Sequence, residues 1–146
     1  SRQPLPVYKK DDPDWRTNFS RGAYIVQKGG AKPDVTVLAT GSEVSLACEA
    51  AKLAAPVKVR VVSVPSKELL EAQSYAFKEQ LVGGSNTRVM IVEAGVKQGW
   101  EGWVRSPQDD IFSIERFGES GPANKVAEHL GFTAAALAER IKAAVR

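Results

Sequence analysis

The sequence predicts an α/β domain with three layers, α/β/α, around a mixed, mostly parallel sheet of about five strands, the first strand antiparallel. Three observations carry this prediction. Short apolar, largely β-branched runs recur at residues 23–27, 35–38, 57–64, 88–94 and 111–117, as expected of strands covered on both faces. Segments with helical spacing follow most of them, and that alternation builds a parallel sheet with crossover helices. The link at 28–34, KGGAKPD, is too short for a crossover, so the first strand is expected to pair antiparallel if it lies beside the next.

Residues 1–22 carry Pro4, Pro6 and Pro13 around a charged middle and lack periodicity. They read as an extended linker, and 23–146 as the domain proper. An opening of SRQPLP without an initiator methionine suggests a piece of something larger. Asp11, Asp12 and Asp14 lack the glycine and closing glutamate of a calcium loop and read as a solvated turn. The domain's organising unit is DVTVLATGSEVSLACEAAKLA at 34–54, a buried strand that turns at Thr40-Gly41 into an amphipathic helix. Thr40 and Glu43 have capping-box spacing. Val44, Ala47, Cys48 and Ala51 share one stripe facing the sheet.

In the next strand, Val57, Val59 and Val61 share a face, and Lys58 and Arg60 take the other as solvated charges. The strand-helix-strand crossover is expected to be right-handed. Ser66 is a plausible N-cap for a helix over 67–82 holding Leu69, Leu70, Ala76, Phe77 and Leu81, which GGSNT at 83–87 stops. The strand at 88–94 brings Glu93 to the same sheet edge as Thr40 and Pro65. Residues 95–105 read as a short helix whose Trp100 and Trp103 either cover the sheet or mark a contact surface. Ser106 to Asp110 form a polar turn, with Asp109 and Asp110 as turn charges. After the last strand, Gly118 to Pro122 form a glycine-rich loop before a helix at 122–130, and His129 near its end takes a capping or surface role. Thr133 caps the closing alanine-rich helix.

Composition narrows the function classes. The formal charge is only +3, from 20 Lys and Arg against 17 Asp and Glu. The basic residues are scattered without interleaved aromatics, so no nucleic-acid partner is expected. No apolar run approaches the roughly 20 residues of a membrane span. The single cysteine, Cys48, rules out an internal disulfide, fits a reducing compartment, and sits on a core stripe. There is no GxGxxG, no GxxxxGK[ST], no metal triad, no nucleophile elbow and no Ser/His/Asp set, so neither catalytic residues nor metal ligands are assigned. The helix start at Thr40, Gly41 and Ser42 offers free N–H groups that could receive a small anion, or could be plain architecture.

Five blocks in order carry a resemblance: ATGSEVSLACEAAKLA at 39–54, VRVVSVPS at 59–66, VEAGVKQGW at 92–100, IERFGESGP at 114–122 and HLGFT at 129–133. Together they resemble the C-terminal domain of transketolases, and SRQPLP resembles the end of that family's preceding pyrimidine-binding domain. The resemblance implies a parent enzyme, homodimeric and cytoplasmic, with a plastid location left open. Such an enzyme moves a two-carbon ketol unit from a ketose phosphate to an aldose phosphate with thiamine diphosphate and magnesium or calcium. It also implies that the cofactor is held by the other two domains. The present domain would then be a non-catalytic, dimer-supporting or regulatory module, inactive and cofactor-free alone. Arg2 matches a family arginine that grips the sugar phosphate, a task suited to the guanidinium fork. The alternative is a self-standing module holding a small anionic ligand at the sheet edge near Thr40, Glu93 and Gly118.

Overall fold

The computed structural model describes residues 10–94, 99–113 and 131–146. Five strands form one sheet in the order β1-β3-β2-β4-β5: β1 (Tyr24–Gln27), β2 (Val35–Ala39), β3 (Val59–Ser63), β4 (Arg88–Glu93) and β5 (Asp110–Ser113). β1 is antiparallel to β3 and the other pairs are parallel. The first strand is thus antiparallel as expected, but its neighbour is β3 rather than β2. The KGGAKPD link crosses over the sheet edge instead of forming a tight hairpin.

The sheet separates two apolar cores. On one side Val35, Val37, Ala39, Val59, Val61, Met90 and Val92 meet α2 (Glu43–Leu53) and the closing helix α5 (Ala134–Ala144). On the other, Leu38, Val62, Val89 and Ile91 meet Leu70, Leu81, Val82 and Trp100. Each central strand alternates between the two cores, the period-2 consequence of the pleat. Thr133 Oγ1 accepts from Ala136 N–H at 3.1 Å and caps α5 as its sequence predicts.

The second side is built from short pieces, where the sequence predicted one helix over 67–82. Ser66 caps α3 (Lys67–Glu71) by accepting from Leu69 N–H at 3.2 Å. Ser74 then accepts from Phe77 N–H at 3.1 Å and starts α4 (Tyr75–Val82). The serine hydroxyl competes for backbone donors and resets the helix. Gly83, at φ +92°, ends α4 in the left-handed conformation. A 3₁₀ turn (Glu101–Trp103) follows the fully packed Trp100 where a longer helix was expected.

Two further expectations change. The linker holds a helix, α1 (Trp15–Phe19), because Asp12 accepts from Asp14 N–H at 2.8 Å and from the Asn18 amide at 2.7 Å, and Trp15 packs against Tyr24. Arg60, read as solvated, is only 4% exposed. It faces away from the valines as predicted, but its guanidinium donates to the carbonyls of Lys28 at 2.8 Å, Gly30 at 3.0 Å, Gln80 at 3.2 Å and Leu81 at 3.3 Å. Burial pulls its pKa down from the ordinary value. The Gly118 to Pro122 loop, the helix at 122–130, His129 and residues 114–117 of the last strand lie outside the described residues.

Candidate functional site at the carboxyl edge of the sheet

β2 and β4 run parallel with Ala39 opposite Val92, so Thr40 and Glu93 leave the sheet side by side. The Thr40 hydroxyl donates to Glu93 Oε1 at 3.2 Å, and Trp100 Nε1 donates to Glu93 Oε2 at 3.3 Å. One carboxylate therefore ties the β2–α2 turn to Trp100, which is 2% exposed and plugs the second core. The Lys67 ammonium lies 5.1 Å from the centroid of the Trp100 ring, a cation–π distance.

This arrangement replaces the capping box expected of Thr40 and Glu43. Among the described contacts, Ser42 occupies the N-cap without a side-chain cap bond. Its hydroxyl instead donates to Glu43 Oε1 at 3.0 Å. In a capping box the Thr40 hydroxyl would accept from a helix N–H; here it is turned to donate to a carboxylate on the neighbouring strand, and charge-assisted bonds are roughly twice as strong as neutral ones. Burial pushes the Glu43 carboxyl up from its ordinary value, and the Glu93 charge adds to the rise, while bonds from Ser42, its own backbone and Thr40 oppose it.

Thr40, Gly41 and Ser42 are thus brought together, but under two carboxylates. Glu43 N–H and Val44 N–H turn to the carbonyls of Thr40 at 3.0 Å and Gly41 at 3.4 Å, which occupies donors that an anion would use. The edge is suited to accept hydrogen bonds and positive charge. Glu93 was legible from parallel strand logic. Its partner Trp100 was not, because nothing local to the indole names a carboxylate seven residues earlier. Arg2 and Gly118 lie outside the described residues. Cys48 is buried, and burial raises its thiol pKa against the opposing pull of Lys52, consistent with an inert core thiol. Among the described residues, no helix is long and apolar enough to cross a membrane.

Fold and edge together define a class: an α/β domain covered on both faces, with one antiparallel edge strand and a carboxylate-lined carboxyl edge. A family described as the transketolase-like TK C-terminal domain matches residues 22–133. The chain is 48% identical over 142 residues to the transketolase of Treponema pallidum, covering 97% of itself and 21% of that protein. It is 37% identical over 136 residues to transketolase 2 of Escherichia coli K12, covering 92% of itself and 20% of that protein. Its fold superimposes with a TM-score of 0.85 and 31% identity on a Pichia stipitis transketolase solved with sedoheptulose 7-phosphate, covering 99% of the chain and 20% of that structure. The chain belongs to the transketolase C-terminal domain family. It spans about one fifth of the length of these relatives.

Proposed function

We propose that this domain is the non-catalytic C-terminal part of a transketolase, supporting its dimer or its regulation. The whole enzyme would transfer a two-carbon ketol group from a ketose phosphate to an aldose phosphate, using thiamine diphosphate and magnesium or calcium. The observation that supports this reading is coverage: nearly the whole chain matches transketolases, while about four fifths of their length lies outside the match. The Pichia stipitis relative, described in complex with a sugar phosphate, supports the substrate class. The parent enzyme is proposed to be a homodimer of the cytoplasm, and Arg2 to grip the sugar phosphate in it.

The described residues do not fit the cofactor themselves. Among them no group of three or more His, Cys, Asp or Glu side chains could share a metal ion, and Glu43 and Glu93 would meet a diphosphate with like charge. The same carboxylates weigh against the alternative of an anion site at Thr40, Gly41 and Ser42. Calorimetric titration of the chain with thiamine diphosphate and magnesium is expected to show no saturable heat. The product of the full reading frame containing this chain is expected to transfer ketol units. Tight, stoichiometric binding of thiamine diphosphate to the chain alone would overturn the reading, and a melting temperature raised by inorganic pyrophosphate would favour the anion module.

A further inference from the structure

A cleft of about 400 Å³ opens on the second side of the sheet, where α4 faces the 3₁₀ turn, and it shares no lining residue with the Thr40–Glu93 edge. Sites for small ligands occupy roughly 300–1,000 Å³ and are largely formed before the ligand arrives. One wall is a single stripe of α4: Tyr75, Lys78, Glu79 and Val82 line the cleft at the i, i+3, i+4 and i+7 spacing of one helix face. Val82 and Val89, 2% and 1% exposed, give it an apolar base continuous with the core. The 3₁₀ turn supplies Gly102 and Trp103, and the Trp103 ring packs against the same core. Tyr75 is 76% exposed, an aromatic ring at the rim that the fold leaves in water.

Two cations hold the walls in place. Arg105 donates to Glu79 Oε1 at 2.7 Å and to the carbonyls of Gly84 and Thr87, both at 3.0 Å, which ties the segment after the 3₁₀ turn to the end of α4. Lys78 Nζ donates to the Glu71 carbonyl at 2.7 Å and lies 5.9 Å from the Trp103 ring centroid. Gly102 keeps the opening clear. A Cβ built there meets no heavy atom within 4 Å, and its φ lies outside the left-handed region, so the backbone does not require glycine at this position.

We propose that this cleft binds a neutral, planar aromatic molecule of one or two rings, seated on Val82 and Val89 and in contact with Trp103 and Tyr75. Among the described residues its charged lining is Glu71, Lys78, Glu79 and Arg105, two of each sign, with Arg105 and Glu79 paired to each other. Lys67, Glu68 and Glu101 are close in sequence but do not line it. A ligand of either charge would meet its own sign as often as the opposite one, whereas a neutral ring gains the apolar contact without that opposition. The Glu71 carboxylate remains an acceptor for a ring N–H or O–H. A cleft of this volume, crossed by the Arg105–Glu79 pair, has room for a small molecule rather than for a helix or strand of another protein.

Indole is the probe, titrated into the ¹⁵N-labelled chain and followed by amide and indole N–H resonances, for which Trp15, Trp100 and Trp103 are the three tryptophan reporters. Saturable shifts are expected at the Trp103 side chain and at the amides of residues 78–82 and 102–105, with Trp15 unmoved and a Kd of ~1 mM, the order expected of so few atoms. Indole-3-acetate and tryptamine, its anionic and cationic counterparts, are expected to bind at least ~3-fold more weakly. Gly102→Leu is expected to fill the opening and weaken indole at least ~10-fold with the melting temperature unchanged. Tyr75→Ala, at an exposed position that folding does not use, is expected to weaken it ~5-fold. The same shifts are expected in the full-length product of the reading frame. The absence of saturable shifts up to about 10 mM indole, equal shifts at Trp15, or affinity untouched by both substitutions overturns the site. A charged counterpart that binds more tightly than indole overturns the ligand class. Shifts seen in the chain and lost in the full-length protein mean that the rest of that protein covers the cleft, which overturns the proposal.

Discussion

Replacing Arg60 by Met tests whether the buried guanidinium holds the second side of the sheet together. The change keeps an apolar stem of similar length and removes four donor contacts, to the carbonyls of Lys28, Gly30, Gln80 and Leu81. A hydrogen bond to a charged donor is worth about 1.5–3 kcal/mol, so simple addition would give well over 6 kcal/mol. That sum overstates the loss. The bond to Leu81 O is fully buried while the others are part-buried, so water can replace most of them. Removing a desolvated charge also returns free energy, as the lowered pKa of Arg60 indicates. A net destabilisation of about 3 kcal/mol follows, which for a domain of this size is roughly 6–12 °C in melting temperature. Urea unfolding at pH 7 measures it as a lower midpoint with unchanged slope. Arg60→Lys should lose about half as much, since an ammonium cannot span both the Lys28–Gly30 loop and the end of α4. An Arg60→Met midpoint within about 0.5 kcal/mol of the original protein would refute the clamp.

Glu43 gives the pH dependence. Its folded pKa is raised, so between the unfolded and folded values the native state binds more protons, and stability falls as pH rises through that window. Glu43→Gln should therefore be more stable than the original protein at pH 7, with the advantage shrinking as the pH falls through the raised folded value and gone below the ordinary carboxylate value, read from urea midpoints at successive pH values. Thr133→Ala and Ser66→Ala each remove a cap bond to a backbone N–H, of 3.1 and 3.2 Å, and should each cost about 1 kcal/mol in the same assay.

What could be read from the sequence was local, and what could not was carried by partners far along the chain. The strands followed from apolar period and β-branching. The caps of α3 and α5 followed from a hydroxyl three residues before its donor, and the end of α4 from Gly83. Arg60 was misread because its four carbonyl partners lie 20 to 32 residues away, and alternation with Lys58 gave no sign of them. Thr40 was misread for the same reason: its chosen acceptor, Glu93, is 53 residues distant. That Thr40 and Glu93 meet was legible, since parallel strands must deliver them to the same edge. The pairing of two carboxylates there was not legible, because a helix start considered alone gives no sign of Glu93, and only the folded edge brings Glu43 and Glu93 to bear on the same turn. The first strand's partner also escaped, since a short link argues for direction and not for which edge the strand joins.

The two sides of the sheet are held by different means. The α2–α5 side packs two helices of 11 residues against the strands and against each other, so its stability is continuous apolar burial. Among the described residues, the opposite side has helices of five and eight residues and a 3₁₀ turn, pinned by Ser66, Ser74, Arg60 and Trp100. From the carboxyl edge, contacts run from Thr40 to Glu93 to Trp100, and from the Trp100 ring to Lys67 at the start of α3. Ser66, one residue earlier, is bonded to Gly22 and so seats the end of α1. Elements this short open locally at lower free energy than long packed helices.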